Sequence, residues 1–162
     1  MKRVLFVCNN LNHGGIPRAL VNLLRTVSDT CQAELLLFEP SGDYLDEVPE
    51  NVRLVPSEGL LYLLGVPQEE LKKRSKSMAL LRAFYVTVSR IFGNGWARKK
   101  VYATAPKLTG YDVAVSFAQD NHDKAFAIGC NAFVLDRVEA KKKVAFVHCD
   151  FENYGGNTPK NR

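Results

Sequence analysis

The chain has none of the signatures that announce a chemistry outright. Its four cysteines, Cys8, Cys31, Cys130 and Cys149, form no CxxC pair and no close Cys/His cluster, so zinc-site spacing is missing. They read instead as free, mostly core thiols of a reducing compartment. Cys8 and Cys149 both fall at predicted strand ends and could approach one another, but a metal site needs more ligands than that. There is also no HExxH and no DxD pair, which leaves a bound metal unsupported. Ser116 and Cys149 lack the flanking glycines of a nucleophile elbow, which counts against hydrolases. Long hydrophobic runs are missing too. Met1-Lys2-Arg3-Val4-Leu5 imitates the start of an export signal, but the apolar run stops at Cys8 and Asn9-Asn10 follows, so it reads as a first strand.

What remains is ordinary globular material. At 162 residues, with 46% hydrophobic and 24% charged residues, the chain has the size and composition of one well-buried domain. The net charge of +5 is unevenly spread, with local concentrations at Lys72-Lys73-Arg74 plus Lys76, at Arg98-Lys99-Lys100 and at Lys141-Lys142-Lys143. Such patches fit an anionic membrane surface or a phosphorylated ligand, and equally fit solvated faces with no partner. They are not interleaved with an aromatic platform and no recognition-module motif accompanies them, so a nucleic acid is not expected.

Val4 to Cys8 is a short apolar run without alternation, the pattern of a strand buried on both faces. A helix is expected from Ile16 to Thr26, with Pro17 in its first turn and an apolar stripe of Leu20, Val21, Leu23 and Leu24. Ala33 to Phe38 is the second strand, Pro40-Ser41-Gly42-Asp43 a turn, and Asn51 to Val55 a shorter third strand. From Gly59 to Ala105 the pattern is helical, and Leu81, Phe84, Tyr85, Val88, Ile91 and Phe92 recur at spacings of three and four. Asp112 to Phe117 reads as a strand, His122 to Gly129 as partly helical, Asn131 to Arg137 as irregular, and Lys143 to Val147 as a last strand ending at His148-Cys149-Asp150. This order predicts an α/β layered domain with a mostly parallel sheet, whose ligand chemistry belongs at the carboxyl ends of the strands.

Three such ends carry polar residues: Asn9-Asn10 through Gly15, Phe117 through Asp120, and His148 through Asp150. Gly14-Gly15 stands between the first strand and its helix, where backbone N–H groups can approach an anion unhindered by a Cβ. The turn lacks both GxGxxG spacing and the Lys-Ser/Thr ending of a P-loop, so the anion is not specified. His148 and Asp150 lie two apart and could reach one cleft, there to orient a sugar hydroxyl or accept its proton.

Arg3-Val4-Leu5-Phe6-Val7 followed by Gly14-Gly15-Ile16-Pro17-Arg18-Ala19-Leu20-Val21-Asn22-Leu23 resembles the amino-terminal signature of GT-B glycosyltransferases of the family-4 type. Tyr111-Asp112-Val113-Ala114-Val115-Ser116 and Lys143-Val144-Ala145-Phe146-Val147-His148-Cys149-Asp150-Phe151 are similar to the same family. The resemblance runs along the chain but covers only the first of the family's two Rossmann-like domains. It implies a Rossmann-like three-layer domain over residues 1–152, with 153–162 a loop or the start of a connection to an absent carboxyl-terminal donor-binding domain in cis.

The resemblance further implies metal-independent, retaining transfer of a sugar from a nucleoside diphosphate sugar to a glycan or lipid-linked acceptor, with no cofactor beyond the donor itself. Gly14 and Gly15 would approach the donor diphosphate and sugar; His148 and Asp150 would be catalytic. Asn10, Asn12, His13, Arg18, Gln119 and Asp120 would line the acceptor side of the cleft. Pro17 replaces the family's commoner glutamate, so no role of that carboxylate carries over. The protein would be cytoplasmic, with a peripheral contact to the inner face of an anionic membrane as the alternative to a packed, water-facing helical region. Taken alone, this stretch would fold without appreciable transferase activity. The competing function is a nucleotide- or phosphosugar-binding module without transfer chemistry.

Overall fold

A strand whose neighbouring side chains are all apolar has no face to give to water, so it needs cover on both sides. In a computed structural model, which describes residues 1–120 and 122–149, that cover is supplied by helices on a five-stranded, all-parallel sheet. The strands are β1 (Arg3–Cys8), β2 (Gln32–Leu37), β3 (Arg53–Val55), β4 (Leu108–Ser116) and β5 (Val138–Ala145). Their order across the sheet is β3-β2-β1-β4-β5. Leu5 and Val7 on one face of β1 and Phe6 and Cys8 on the other are all buried, as the continuous run requires. The fold is a Rossmann-like α/β domain.

Helix α1 (Gly15–Val27) makes the crossover from β1 to β2 and buries Leu20, Val21 and Leu24. Between β3 and β4 come α2 (Tyr62–Gly65), α3 (Gln68–Arg74), α4 (Lys76–Phe92) and α5 (Asn94–Tyr102); α6 (Cys130–Arg137) leads directly into β5. Phe133 on α6 meets Phe38 and Tyr102 edge-on at centroid distances of 5.3 and 5.5 Å, joining that helix to the core. Among the described residues no helix is long and apolar enough to cross a membrane.

Two segments differ from the sequence expectation. The stretch from His122 to Gly129 is not helical, and the helix lies instead at Cys130–Arg137. The reason is Arg98, a buried residue that donates to the carbonyls of Ala125 and Ala127 at 3.0 Å each and of Phe126 at 3.4 Å. Asn94 donates to Ala125 as well, at 3.0 Å. Backbone acceptors answered by side chains have no need of a helix. The last strand also begins earlier than the run Lys143 to Val147 suggests, because β5 is an edge strand that is exposed along most of its length and therefore carries no apolar run.

The helical stripe divides as well. Leu81 and Tyr85 pack on the core, whereas Phe84, Ile91 and Phe92 face outward.

Candidate functional site

Register sets the site before any side chain does. Val7 pairs with Ser116 and Ser116 with Ala145, so β1, β4 and β5 end on one line. The ladder runs on for one bond at each junction: Phe117 N donates to Val7 O and Phe146 N to Ser116 O, both at 2.9 Å. In this order β1 connects onward to β2 on one side while β4 lies on its other side, which makes the β1–β4 junction the place where the sheet reverses direction of growth. Parallel sheets bind ligands outside the carboxyl ends at such a reversal.

The β1–α1 loop reaches that junction with the glycine pair at its far end. Gly14 is extended, and a Cβ placed on it would meet Pro17 Cδ at an ordinary 3.6 Å. A Cβ on Gly15 would meet nothing within 4 Å. Neither glycine is demanded by backbone strain or crowding, in contrast to Gly42, whose φ of 122° and whose Cβ, 2.0 Å from Leu11 C, exclude any side chain. The start of α1 is open. It has no side-chain cap and no acidic residue in its first turn, so among the described residues its leading N–H groups and the positive end of its dipole have no side chain of their own helix to compensate them.

The rest of the loop is held in place rather than held out to a ligand. Asn10 is buried, donates to Gly65 O at 2.9 Å and accepts from Asn12 N at 3.3 Å. His13 N donates to Asp43 Oδ2 at 2.9 Å, and its Nδ1 lies 3.2 Å from the Tyr44 hydroxyl. Arg18 pairs with Glu47 at 2.7 Å and stacks on Tyr44, its guanidinium carbon 4.1 Å from the ring centre. Tyr44 thus receives both His13 and Arg18, a role no motif in the sequence signalled. Gly65 closes the β1–β2 side: its Cβ would lie 2.8 Å from Asn9 O and 2.9 Å from Glu39 Cβ. Openness is therefore confined to the start of α1 and to the β4–β5 side.

On that side Gln119 organises the chain after β5. Its Oε1 accepts from His148 N at 2.8 Å and its Nε2 lies 2.8 Å from Cys149 Sγ. The His148 ring packs on Phe117 at 4.7 Å and stacks near Phe146 at 6.0 Å, with Nε2 2.7 Å from the Phe117 carbonyl. A carbonyl only accepts, so Nε2 carries a proton, and in the neutral ring Nδ1 is the acceptor. Among the described residues nothing hydrogen-bonds to that Nδ1. Asp150, expected beside it, lies outside the described residues.

Asp120 is committed elsewhere. It pairs with Arg98 at 2.9 Å, their side chains 8% and 3% exposed, and its other oxygen accepts from Asn131 N in the first turn of α6 at 3.2 Å. Arg98 had the look of a member of a basic surface patch; its burial could not be read from Arg98-Lys99-Lys100. Cys8 ends β1 beside the candidate site, but burial raises its thiol to about 11, so it is no nucleophile near neutrality. Among the described residues no group of three or more His, Cys, Asp or Glu is placed to hold a metal ion. A small apolar cavity of about 30 Å³, lined by Leu36, Val55, Pro56, Leu61, Leu108 and Phe133 among others, is of single-water size and includes none of these residues.

Set against known protein families, curated proteins and solved structures, the chain matches none of them.

Proposed function

We propose that this domain forms the acceptor-side wall of the active cleft of a GT-B glycosyltransferase that moves a sugar, with retention and without a metal, from a nucleoside diphosphate sugar to a glycan or lipid-linked acceptor. One observation carries the reading: the uncapped start of α1 at Gly14-Gly15 and the imidazole of His148 stand at the carboxyl edge of β1 and β5, the two strands that flank β4, at the sheet reversal. In this reading the second wall, which would hold most of the nucleotide, comes from a further Rossmann-like domain, and the reaction takes place on the cytoplasmic side.

The chemistry asks for two things. As the bond from the anomeric carbon to the diphosphate oxygen breaks, negative charge grows on the leaving group, and the N–H groups opening α1 would stabilise it without reorganising. The acceptor oxygen bonds to the anomeric carbon and its proton passes to the departing phosphate oxygen. His148, its ring fixed by Phe117 and Gln119, would accept a hydrogen bond at Nδ1 from a hydroxyl of the transferred sugar and so hold the anomeric carbon in line. Asn10 and Arg18 would keep the loop before α1 in place through the contacts described above, while Asp120 holds the fold through Arg98 and the start of α6.

The test compares sugar turnover by the 162-residue chain with turnover by the same chain extended through a donor-binding domain. Turnover is expected only from the extended protein. Comparable turnover by the shorter chain would overturn the half-cleft reading, and tight nucleotide binding by the shorter chain without any transfer would favour a nucleotide- or phosphosugar-binding module.

A further inference from the structure

Helix α4 has two apolar faces and only one of them is covered. Met78, Leu81, Tyr85 and Val86 pack against the core, and Ala79 and Ser89 are buried. On the opposite side Leu80, Phe84, Thr87 and Ile91 follow at spacings of four, three and four, which aligns them along one side of the helix for roughly 16 Å. Leu80 is 73% exposed, Phe84 53% and Ile91 63%, and the stripe is prolonged by Phe92 and by Trp96 on α5, 80% and 51% exposed. One such residue in water means nothing, whereas a row of five marks an interaction surface.

The charge along this stretch of the chain has a single sign. From Leu71 through Tyr111 the chain contains ten Lys or Arg and no Asp or Glu. Some of these cations are used internally. Arg98 is buried against Asp120, Arg82 turns in to Leu63 O and Gln68 Oε1 at 2.8 Å each, and Lys72 and Arg74 pair with glutamates. Lys76 and Arg90 are exposed along one margin of the stripe, and Lys99 and Lys100 are exposed on α5, with Lys100 Nζ 5.9 Å from the centre of the Trp96 ring.

We propose that this face of α4 and the start of α5 docks on an anionic lipid bilayer, with the helix lying in the plane of the interface. Leu80, Phe84, Ile91, Phe92 and Trp96 enter the acyl boundary, while Lys76, Arg90, Lys99 and Lys100 reach the headgroup phosphates along their aliphatic stems. A second copy of the chain fits the face poorly, since self-pairing would bring cation against cation. The docked unit is joined to the sheet edge described above: Asn94 N donates to Asp123 O at 2.7 Å, Tyr85 stacks on Phe126 at 5.5 Å, and Arg98 holds Asp120. The proposal rests on the helical face alone and can fail or succeed independently of the transfer reading.

Trp96 is the sole tryptophan, so its emission reports on this face directly. The full chain is mixed with phosphatidylcholine vesicles with and without phosphatidylglycerol, then followed by flotation and tryptophan fluorescence. Flotation and a blue shift are expected with the anionic vesicles only. The double variants Phe84→Ser with Ile91→Ser and Lys76→Glu with Arg90→Glu alter exposed side chains, and with an unchanged circular dichroism spectrum each should weaken partitioning roughly tenfold or more. Absence of flotation with anionic vesicles, or flotation unchanged in both variants, overturns the proposal. So does a concentration-dependent dimer that Phe84→Ser with Ile91→Ser abolishes, which would assign the face to a second copy.

Discussion

At the amino edge of the sheet, the carboxylate of Glu34 on β2 takes hydrogen bonds from Arg3 on β1 at 2.7 Å, Tyr111 on β4 at 2.7 Å and Arg53 on β3. At the carboxyl edge, among the described residues, the start of α1 has no side-chain cap and His148 keeps one ring nitrogen unengaged. The amino edge ties four strands together and leaves the carboxylate no capacity for a ligand. The carboxyl edge spends most of its polar groups on holding two open ones still. A polar cluster is therefore informative about function through what it leaves unsatisfied, and Asp120 belongs with Glu34 even though it stands at the other end of the sheet.

The sharpest test of that grouping is Asp120→Ala, which leaves the Arg98 guanidinium buried without its anion. A loss of about 3–5 kcal/mol in urea denaturation is expected, with activity lost only as the fold is lost. A stable Asp120→Ala protein without activity would move Asp120 to the ligand side. His148→Ala should behave in the opposite manner, with sugar transfer by the extended protein falling about a hundredfold while the urea midpoint of the domain barely moves.

Glu34→Gln comes next, at about 2 kcal/mol, reduced from the fully buried case because Arg53 is largely exposed. Burial works to raise the Glu34 pKa, but hydrogen bonds from Arg3, Tyr111 and Arg53 outweigh it and hold the carboxyl below its ordinary 4.5. The same cluster, with burial first, pushes the Tyr111 hydroxyl up to about 12. A depressed carboxyl supports folding fully above its unfolded pKa, and that support is lost as pH falls through the lower folded value. Stability of the native chain should thus decline below about pH 4.5 more steeply than that of Glu34→Gln, measured as urea midpoint against pH. The smallest effect is the most diagnostic. Gly15→Ala, with free space for its methyl group, should stabilise the domain by about 0.5 kcal/mol and yet slow transfer, since the methyl occupies the approach to the helix start. Unchanged transfer would remove the glycine pair from the site.

Much of the frame was legible in the sequence for a plain reason: strands buried on both faces are written as apolar runs, unbroken in β1 from Val4 to Cys8 and in the second half of β2 from Leu35 to Leu37. β5 could not be placed by that rule, because an edge strand in water reads Val-Glu-Ala-Lys-Lys-Lys-Val-Ala. The position of α6 escaped because one side chain, Arg98, satisfies carbonyls more than twenty residues away and so decides which neighbouring segment coils. Of the site, the strand-end location and the glycine pair were visible from pattern. That Asn10, Arg18 and Asp120 brace neighbouring structure was not, since their partners Gly65, Tyr44, Glu47 and Arg98 are brought near only by the fold.

The lysines of β5 acquire a further meaning from their place on an edge. In the described sheet β5 is hydrogen-bonded to β4 alone, and Lys141, Lys142 and Lys143 stand exposed along it. Lys141 leans on Asp112 at 2.7 Å and Lys143 on Leu135 O at 3.0 Å, which fans positive charge to either side of the strand. An unpaired strand with Val144 and Phe146 beside it invites a neighbour's edge, and a cationic fence is what natural sheets use to turn such neighbours away. Colloidal behaviour of this domain is then governed by ionic strength, with salt lowering the fence.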